Sequence, residues 1–123
     1  MYLFDTSAII YFVQKEPQAT ARLGPIFSGT VPLFVATISI AEFFSPRLLP
    51  DEERAGVEGI LSVMIPIPLD VALARYAGDL RSANNLKLAD SIIAASTLTH
   101  GATLLTRNIR DFKRVPNLTI EAI

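Results

Sequence analysis

The sequence predicts an α/β fold, in which a central parallel sheet of about five strands carries helices on both faces. Short apolar segments alternate with longer segments of helical periodicity along the 123 residues. The short segments are continuous apolar runs, which is typical of strands buried on both faces. Half of the residues are hydrophobic and mean hydropathy is +0.40, which excludes general disorder. The length suits one domain, and we expect residues 1–123 to form it.

Five short apolar segments are predicted to be strands. In chain order they are residues 1–4, 33–36, 63–67, 103–106 and 118–120. Pro66 has no N–H to donate, so we expect the third strand at an edge of the sheet. Because ligands of such folds gather outside the carboxyl ends of the strands, we expect a site just after Phe4 and just after Thr106.

Six segments are predicted to be helices. In chain order they are residues 8–13, 20–27, 39–48, a segment starting at 51, 70–83 and 88–99. Asp51 and Asp70 are predicted N-caps, since their carboxylates can accept from free N–H groups. We expect Gly24-Pro25 to disturb the second helix and Gly101 to end the last.

Composition excludes several kinds of site. The chain has no cysteine and one histidine, so it has neither a disulfide framework nor a thiolate or multi-histidine metal site. The longest uncharged stretch, residues 23–41, is interrupted by Gly and Pro and is not a membrane span. The start lacks the cationic residues of a secretory signal. A soluble, cytoplasmic protein without membrane partners is predicted.

Basic residues are concentrated near the end of a chain whose net charge is −1. Arg107, Arg110, Lys113 and Arg114 lie within eight residues. Such a cluster can attract a phosphate chain to one place, and it can equally be an ordinary solvated turn.

Four acidic residues are candidates for chemistry. Asp5 and Asp111 lie near the expected strand ends, whereas Glu42 and Asp90 lie in unusually apolar segments. An isolated carboxylate on an inward face is costly unless something compensates its charge.

Each of these acids also has a structural interpretation. Asp5 could cap the first helix, and Ser39 and Glu42 have capping-box spacing. Asn108 and Asp111 could cap a short final turn, in a similar way. Asp90 is expected inside its helix, where no backbone donor is free, and its structural interpretation is an ion pair with Lys87 or an arginine.

Carboxylates that converge would repel one another, and a divalent cation would remove that repulsion. A site with oxygen ligands and no Cys or His points to a hard ion, Mg²⁺ or Mn²⁺. Such an ion suits phosphoryl chemistry, because it can activate water and stabilise the leaving oxygen.

The residues also resemble a known family, the PIN-domain ribonucleases, and within it the VapC-type toxins of toxin–antitoxin pairs. The matching motifs are Leu3-Phe4-Asp5-Thr6-Ser7, Ser39-Ile40-Ala41-Glu42, Ala89-Asp90-Ser91-Ile92-Ile93-Ala94-Ala95 and Leu105-Thr106-Arg107-Asn108-Ile109-Arg110-Asp111-Phe112. The resemblance implies a Rossmann-like sheet, a metal-dependent endoribonuclease, a homodimer and a cognate antitoxin that blocks the site. We expect residues 9–27 and 43–49 to contribute to these interfaces.

The resemblance also implies roles for particular residues. Asp5 and Asp90 would bind the metal, Glu42 would complete the site, and a bound water would attack the phosphorus and leave 5′-phosphate and 3′-hydroxyl ends. Ser7 would support Asp5. Some relatives have an acid where this chain has Asn108, so Asp111 is a candidate for the missing charge. The four basic residues named above would hold the RNA backbone.

Three alternatives compete with this function. A phosphoacceptor domain would have an acidic pair after the first strand and a lysine after the last, and neither is present. A non-catalytic module with the PIN fold, binding nucleic acid or protein, is the stronger alternative, because Asn108 is neutral. DNA is a possible substrate, since no motif in the sequence indicates recognition of the 2′-hydroxyl that distinguishes RNA.

Overall fold

A computed structural model describes residues 1–45 and 49–123 and contains one parallel sheet within them. Its strands are β1 (Tyr2–Phe4), β2 (Leu33–Ala36), β3 (Ile65–Ile67), β4 (Thr103–Thr106) and β5 (Ile120–Ala122). The spatial order is β3-β2-β1-β4-β5, and all four neighbouring pairs are parallel. The predicted fold class is therefore confirmed, as is the edge position of the strand that contains Pro66.

Helices connect the strands and cover both faces of the sheet. They are α1 (Thr6–Val13), α2 (Pro17–Phe27), α3 (Thr37–Phe43), α4 (Asp51–Leu61), α5 (Val71–Asn84), α6 (Leu88–Thr99) and α7 (Ile109–Phe112). Successive strand side chains point to opposite faces, so Leu3 and Leu104 join a core with α5 and α6, while Phe4 and Leu105 join a core with α1, α2 and α4. None of the described helices is both long and apolar enough to cross a bilayer.

The strand order reverses between β1 and β4. From β1 the chain first adds β2 and β3 on one side, and then β4 and β5 on the other. A crevice forms at such a point because the connections leave the two central strands in opposite directions. Asp5 directly follows β1, and its N–H donates to the carbonyl of Leu105 in β4 at 3.1 Å. The first candidate residue is thus fixed beside this crevice.

The structure corrects several local predictions. Helix α3 begins at Thr37, directly after β2, so Ser39 and Glu42 lie inside it and form no capping box. Asp51 is the first helical residue, not the cap, which is Pro50. The predicted end of the third helix, residues 46–48, lies outside the described residues, and α3 ends earlier, at Phe43.

Two further differences have simple causes. Helix α2 begins at Pro17 and runs through Pro25, because a proline removes only one helical donor and this one is exposed to solvent. Strand β5 lies two residues later than predicted, where Leu104–Thr106 of β4 pair with 120–122. By contrast, Asp70 caps α5 as predicted, since its carboxylate accepts from the N–H of Leu73 at 2.8 Å.

Candidate active site

A cleft of about 300 Å³ opens at the carboxyl ends of β1 and β4. It is lined by Asp5, Thr6, Ser7, Ile10, Glu42, Lys87, Ala89, Asp90, Ile93 and Asn108. Three acids that are far apart in the sequence therefore line one cleft, as the sequence predicted. Asp111 is not part of the lining.

Asp5 lies on the wall of the cleft that the ends of β1 and β4 form, and it is buried, with 6% of its surface exposed. Its Oδ2 accepts hydrogen bonds from the hydroxyls of Thr106, at 2.7 Å, and Ser7, at 3.2 Å. Every buried side-chain oxygen or nitrogen in the described residues has a partner, and the backbone N–H of Thr6 also donates to the Asp5 carboxylate. Burial raises the pKa of Asp5, the two hydroxyls oppose that rise, and the charge of Glu42 adds to it.

Glu42 is oriented by Thr6, which follows Asp5. The Thr6 hydroxyl lies 2.8 Å from Glu42 Oε1 and 2.8 Å from the hydroxyl of the buried Ser39. An ionised carboxylate can only accept, so the single Thr6 hydroxyl hydrogen is donated to Glu42 and the Thr6 oxygen accepts a hydrogen bond from the Ser39 hydroxyl. The chain of hydroxyls ties α3 to the start of α1. It also explains why Ser39 and Glu42 are three residues apart without forming a cap.

Asp90 lies on the opposite wall, at the start of α6. It is the third helical residue and belongs to the first turn, which corrects the expectation that it lies inside the helix beyond any free donor. Partial burial raises the pKa of Asp90 to about 6, the charges of Asp5 and Asp111 add to that rise, and Lys87 opposes it. Its environment therefore penalises the charged form.

Asn108 and Asp111 bind each other beside the cleft. The Asn108 side-chain amide donates to Asp111 Oδ2 at 3.1 Å, and its backbone N–H donates to the Thr106 hydroxyl at 2.9 Å. Asn108 is the N-cap residue of α7, but its side chain makes no capping hydrogen bond. The Thr106 hydroxyl thus contacts both Asp5 and the backbone of Asn108. Asp111 lies outside the lining, but it holds the Asn108 side chain and its charge raises the pKa of Asp90.

The predicted basic cluster divides into two groups. Arg107 pairs with Glu16 at 2.6 Å and stacks 4.2 Å above the ring of Tyr11, while Arg114 pairs with Asp111 at 3.4 Å. Arg110 and Lys113 are exposed and make no ion pair within the described residues. None of the four lines the cleft.

The donor groups suit a hard divalent cation. Asp5, Glu42 and Asp90 offer carboxylate oxygens, and Mg²⁺ and Mn²⁺ prefer such ligands. Within residues 1–45 and 49–123, however, no three acidic or histidine side chains stand close enough together to enclose one ion. The ligand atoms are therefore of the kind that such an ion prefers. The three carboxylates line one cleft, but they are too far apart to contact a single ion together.

Sequence reasoning missed three contributors to this cleft. Thr106 and Thr6 supply the hydroxyls that orient Asp5 and Glu42, and Lys87 is the basic residue of the lining. Thr106 could have been identified, because it carries a hydroxyl at a predicted strand end. The sequence predicts Lys87 only as a possible ion-pair partner of Asp90, and not as part of the cleft lining.

Comparison with known proteins gives consistent matches. The family model described as PIN domain matches residues 2–118. Ribonuclease VapC2 of Rickettsia felis is 26% identical over 98% of this chain and 96% of its own length. The tRNA(fMet)-specific endonuclease VapC of Salmonella typhimurium is 24% identical with the same coverage.

Solved structures agree in fold. VapBC2 of Rickettsia felis, bound to a DNA fragment from its promoter, has a TM-score of 0.81 at 24% identity and covers 99% of this chain and 98% of that one. A toxin–antitoxin complex from Klebsiella pneumoniae has a TM-score of 0.80 at 25% identity, covering 97% and 96%.

Proposed function

This chain belongs to the PIN-domain family, and from that premise we propose that it is an endoribonuclease acting as the toxin of a toxin–antitoxin pair. One observation carries the proposal: Asp5, Glu42 and Asp90, from three distant segments, line one cleft at the point where the strand order reverses. The matching relatives over almost the whole chain are ribonucleases, which supports RNA as the substrate.

The chemistry we propose is hydrolysis of a phosphodiester bond. The oxygen of a water molecule forms a bond to phosphorus as the bond from phosphorus to the 3′ oxygen breaks. One water proton goes to the 3′ oxygen, so the products are a 5′-phosphate and a 3′-hydroxyl. A Mg²⁺ or Mn²⁺ ion, when bound, lowers the pKa of water and stabilises charge on the reacting oxygens.

The side chains would divide the work between them. Asp5 and Asp90 would be metal ligands, with Glu42 completing the set directly or through water. Thr106 and Ser7 hold the Asp5 carboxylate in the lining of the cleft. Asn108 offers a neutral carbonyl oxygen for a ligand or an oriented water.

The RNA backbone would be held by basic residues outside the acidic lining. Arg110 and Lys113 make no ion pair within the described residues. Arg107 and Arg114 would contact RNA only by giving up the carboxylates that they now bind.

The test is cleavage of a panel of RNAs by the purified protein in Mg²⁺, in Mn²⁺ and in excess EDTA. We expect cleavage with either metal, products with 5′-phosphate ends and loss of activity in EDTA. Unchanged cleavage in EDTA would contradict the metal mechanism. Single-stranded DNA of the same sequence in parallel reactions tests the choice of RNA.

A binding module without catalysis is the second candidate. It is favoured by the neutral Asn108 and by the lack of a closed three-acid cluster in the described part of the chain. In that case RNA would bind but stay intact in every metal tested. Metal-dependent turnover distinguishes the two functions.

We further propose an antitoxin partner and a homodimer. The Klebsiella pneumoniae structure is a toxin–antitoxin complex, which supports a protein inhibitor for this chain. We expect the product of a small adjacent reading frame to co-purify with it and to block cleavage. Light scattering during gel filtration should give a mass near 27 kDa, about twice 13.4 kDa, for the dimer, and a monomeric mass would contradict it.

A further inference from the structure

Within residues 1–45 and 49–123, the cleft is lined by one basic side chain, and none of the predicted functions uses it. Lys87 is the N-cap residue of α6, and its exposed side chain lines the cleft with Asp5, Glu42 and Asp90. It makes no ion pair with any described residue. A lysine ammonium is a compact point charge with three donors and suits a phosphate oxygen.

The other basic residues near the site are placed differently. Arg107 is turned toward Glu16 and Tyr11, and Arg114 toward Asp111 and the carbonyl of Asn85. Among the residues that the structure describes, Lys87 is therefore the cationic side chain that lines the cleft.

An RNA phosphate that enters this cleft meets three carboxylates. Each of them repels it, and a positive charge within the lining offsets part of that repulsion. Lys87 is three residues before Asp90 on the same wall, so a phosphate near Asp90 is also within reach of the flexible lysine side chain. The nearby charge of Lys87 already opposes the rise in the pKa of Asp90.

We propose that Lys87 binds a non-bridging oxygen of the RNA phosphate held in the cleft. The inference rests on the proposed endoribonuclease function and adds a substrate-binding residue to it. Arginine at this position should serve nearly as well, because the contact needs a donor with a positive charge.

The experiment compares Lys87→Gln and Lys87→Arg with the wild type. Arg75→Gln is the matched control, since it removes one positive charge from an exposed position on α5 outside the cleft lining. Steady-state cleavage of a fluorescent RNA in Mg²⁺ is measured from pH 5 to pH 9. Binding of the same RNA is followed by fluorescence anisotropy in EDTA at a series of salt concentrations.

We expect Lys87→Gln to lose about 10- to 100-fold in kcat/KM, and Lys87→Arg to recover most of it. The salt dependence of log binding affinity should lose about one unit of slope in Lys87→Gln and none in Arg75→Gln.

Two results would overturn the inference while leaving the endoribonuclease function intact. One is an unchanged kcat/KM and salt slope in Lys87→Gln. The other is a shifted pH profile with an unchanged salt slope, which would mean that Lys87 acts only by favouring the ionised form of Asp90. If the wild type binds RNA but cleaves none, the endoribonuclease function is wrong, and the salt slope still decides whether Lys87 contacts phosphate.

Discussion

The two walls of the cleft hold their carboxylates in different ways. Asp5, on the strand wall, is buried and accepts hydrogen bonds from Thr106 and Ser7. Asp90, on the helix wall, is half-buried, and within residues 1–45 and 49–123 no hydrogen bond or salt bridge holds its side chain. The strand wall is organised by hydrogen bonds within the chain, whereas the Asp90 carboxylate on the helix wall has no such partner among the described residues.

The largest effect should come from removing either carboxylate. Asp5→Asn and Asp90→Asn keep the size of the side chain but remove a negative charge from the proposed metal site, and we expect each to reduce RNA cleavage on the order of 10²- to 10³-fold. Far-ultraviolet circular dichroism should show both variants folded. The matched control is Asp79→Asn, an exposed acid on α5, which should leave cleavage unchanged. Full activity in Asp90→Asn would mean that only the strand wall matters and would return Asp90 to a structural role.

Thr106→Val tests how far the organisation of the strand wall depends on one hydroxyl. The valine keeps the shape but removes the donor to Asp5 and the acceptor for the N–H of Asn108. We expect a loss of about 10- to 100-fold in metal affinity or activity, as for other groups that orient metal ligands.

Thr106→Ser retains the hydroxyl and should recover most of that function. Metal affinity measured from the Mg²⁺ dependence of cleavage separates the two variants. Equal activity of the serine and valine variants would show that burial alone positions Asp5.

Asp90, on the helix wall, should make the free energy of unfolding depend on pH when no metal is present. The folded-state pKa of Asp90, about 6, exceeds its ordinary value of 3.8, so the protonated form favours folding. That contribution is complete below about pH 4 and is lost as pH rises through 6. Asp90→Asn should therefore gain stability relative to the wild type as pH rises through this range and keep that gain at higher pH, on the order of 1 kcal/mol after allowance for screening by water.

Urea unfolding in EDTA at pH 4 and pH 8 measures this difference. The expected result is a gain for Asp90→Asn at pH 8 that is absent at pH 4, and Mg²⁺ at pH 8 should stabilise the wild type more than the variant. A gain of equal size at both pH values would mean that ionisation of Asp90 does not cause it.

The smallest effect should come from Ser7. Its hydroxyl donates to Asp5 at 3.2 Å, longer than the 2.7 Å bond from Thr106, and Ser7 is only partly buried. We expect Ser7→Ala to reduce kcat/KM by about threefold, consistent with a net contribution of roughly 0.5–1 kcal/mol for such a bond. A loss as large as that of Thr106→Val would show that the two hydroxyls hold Asp5 equally.

Much of the fold could be predicted because its signals are local. Residues 33–36 and 103–106 were predicted to be strands and have those bounds in the structure, since each is an apolar run with a distinct end. Helix α6 likewise has its predicted bounds, and Gly101 follows its end with a φ of 60°. Asp5 could be predicted because strand ends of a parallel sheet meet at one edge, and Glu42 and Asp90 could be predicted because each is an acid within an unusually apolar segment.

The rest of the site depends on contacts between distant residues. Ser39 and Glu42 have the spacing of a capping box, but their partner is Thr6, 33 and 36 residues away. The spacing alone cannot distinguish a local backbone partner from a distant hydroxyl. The partners of Arg107 are similarly remote, since Glu16 is 91 residues away. Such pairings follow from the packing of α1 against the strand ends, which no short sequence pattern encodes.

Pro66 has a consequence for how this molecule meets other chains. Pro66 is the middle residue of β3 and has no N–H to donate to β2. The backbone N–H groups that donate to β2 therefore belong to Ile65 and Ile67, and the backbone nitrogen of Pro66 lies on the outer edge of the sheet. An incoming strand would find a missing donor at the centre of this edge. The protein can therefore expose Val63 and Ile65, 64% and 49% accessible, beside a sheet that resists extension by another polypeptide.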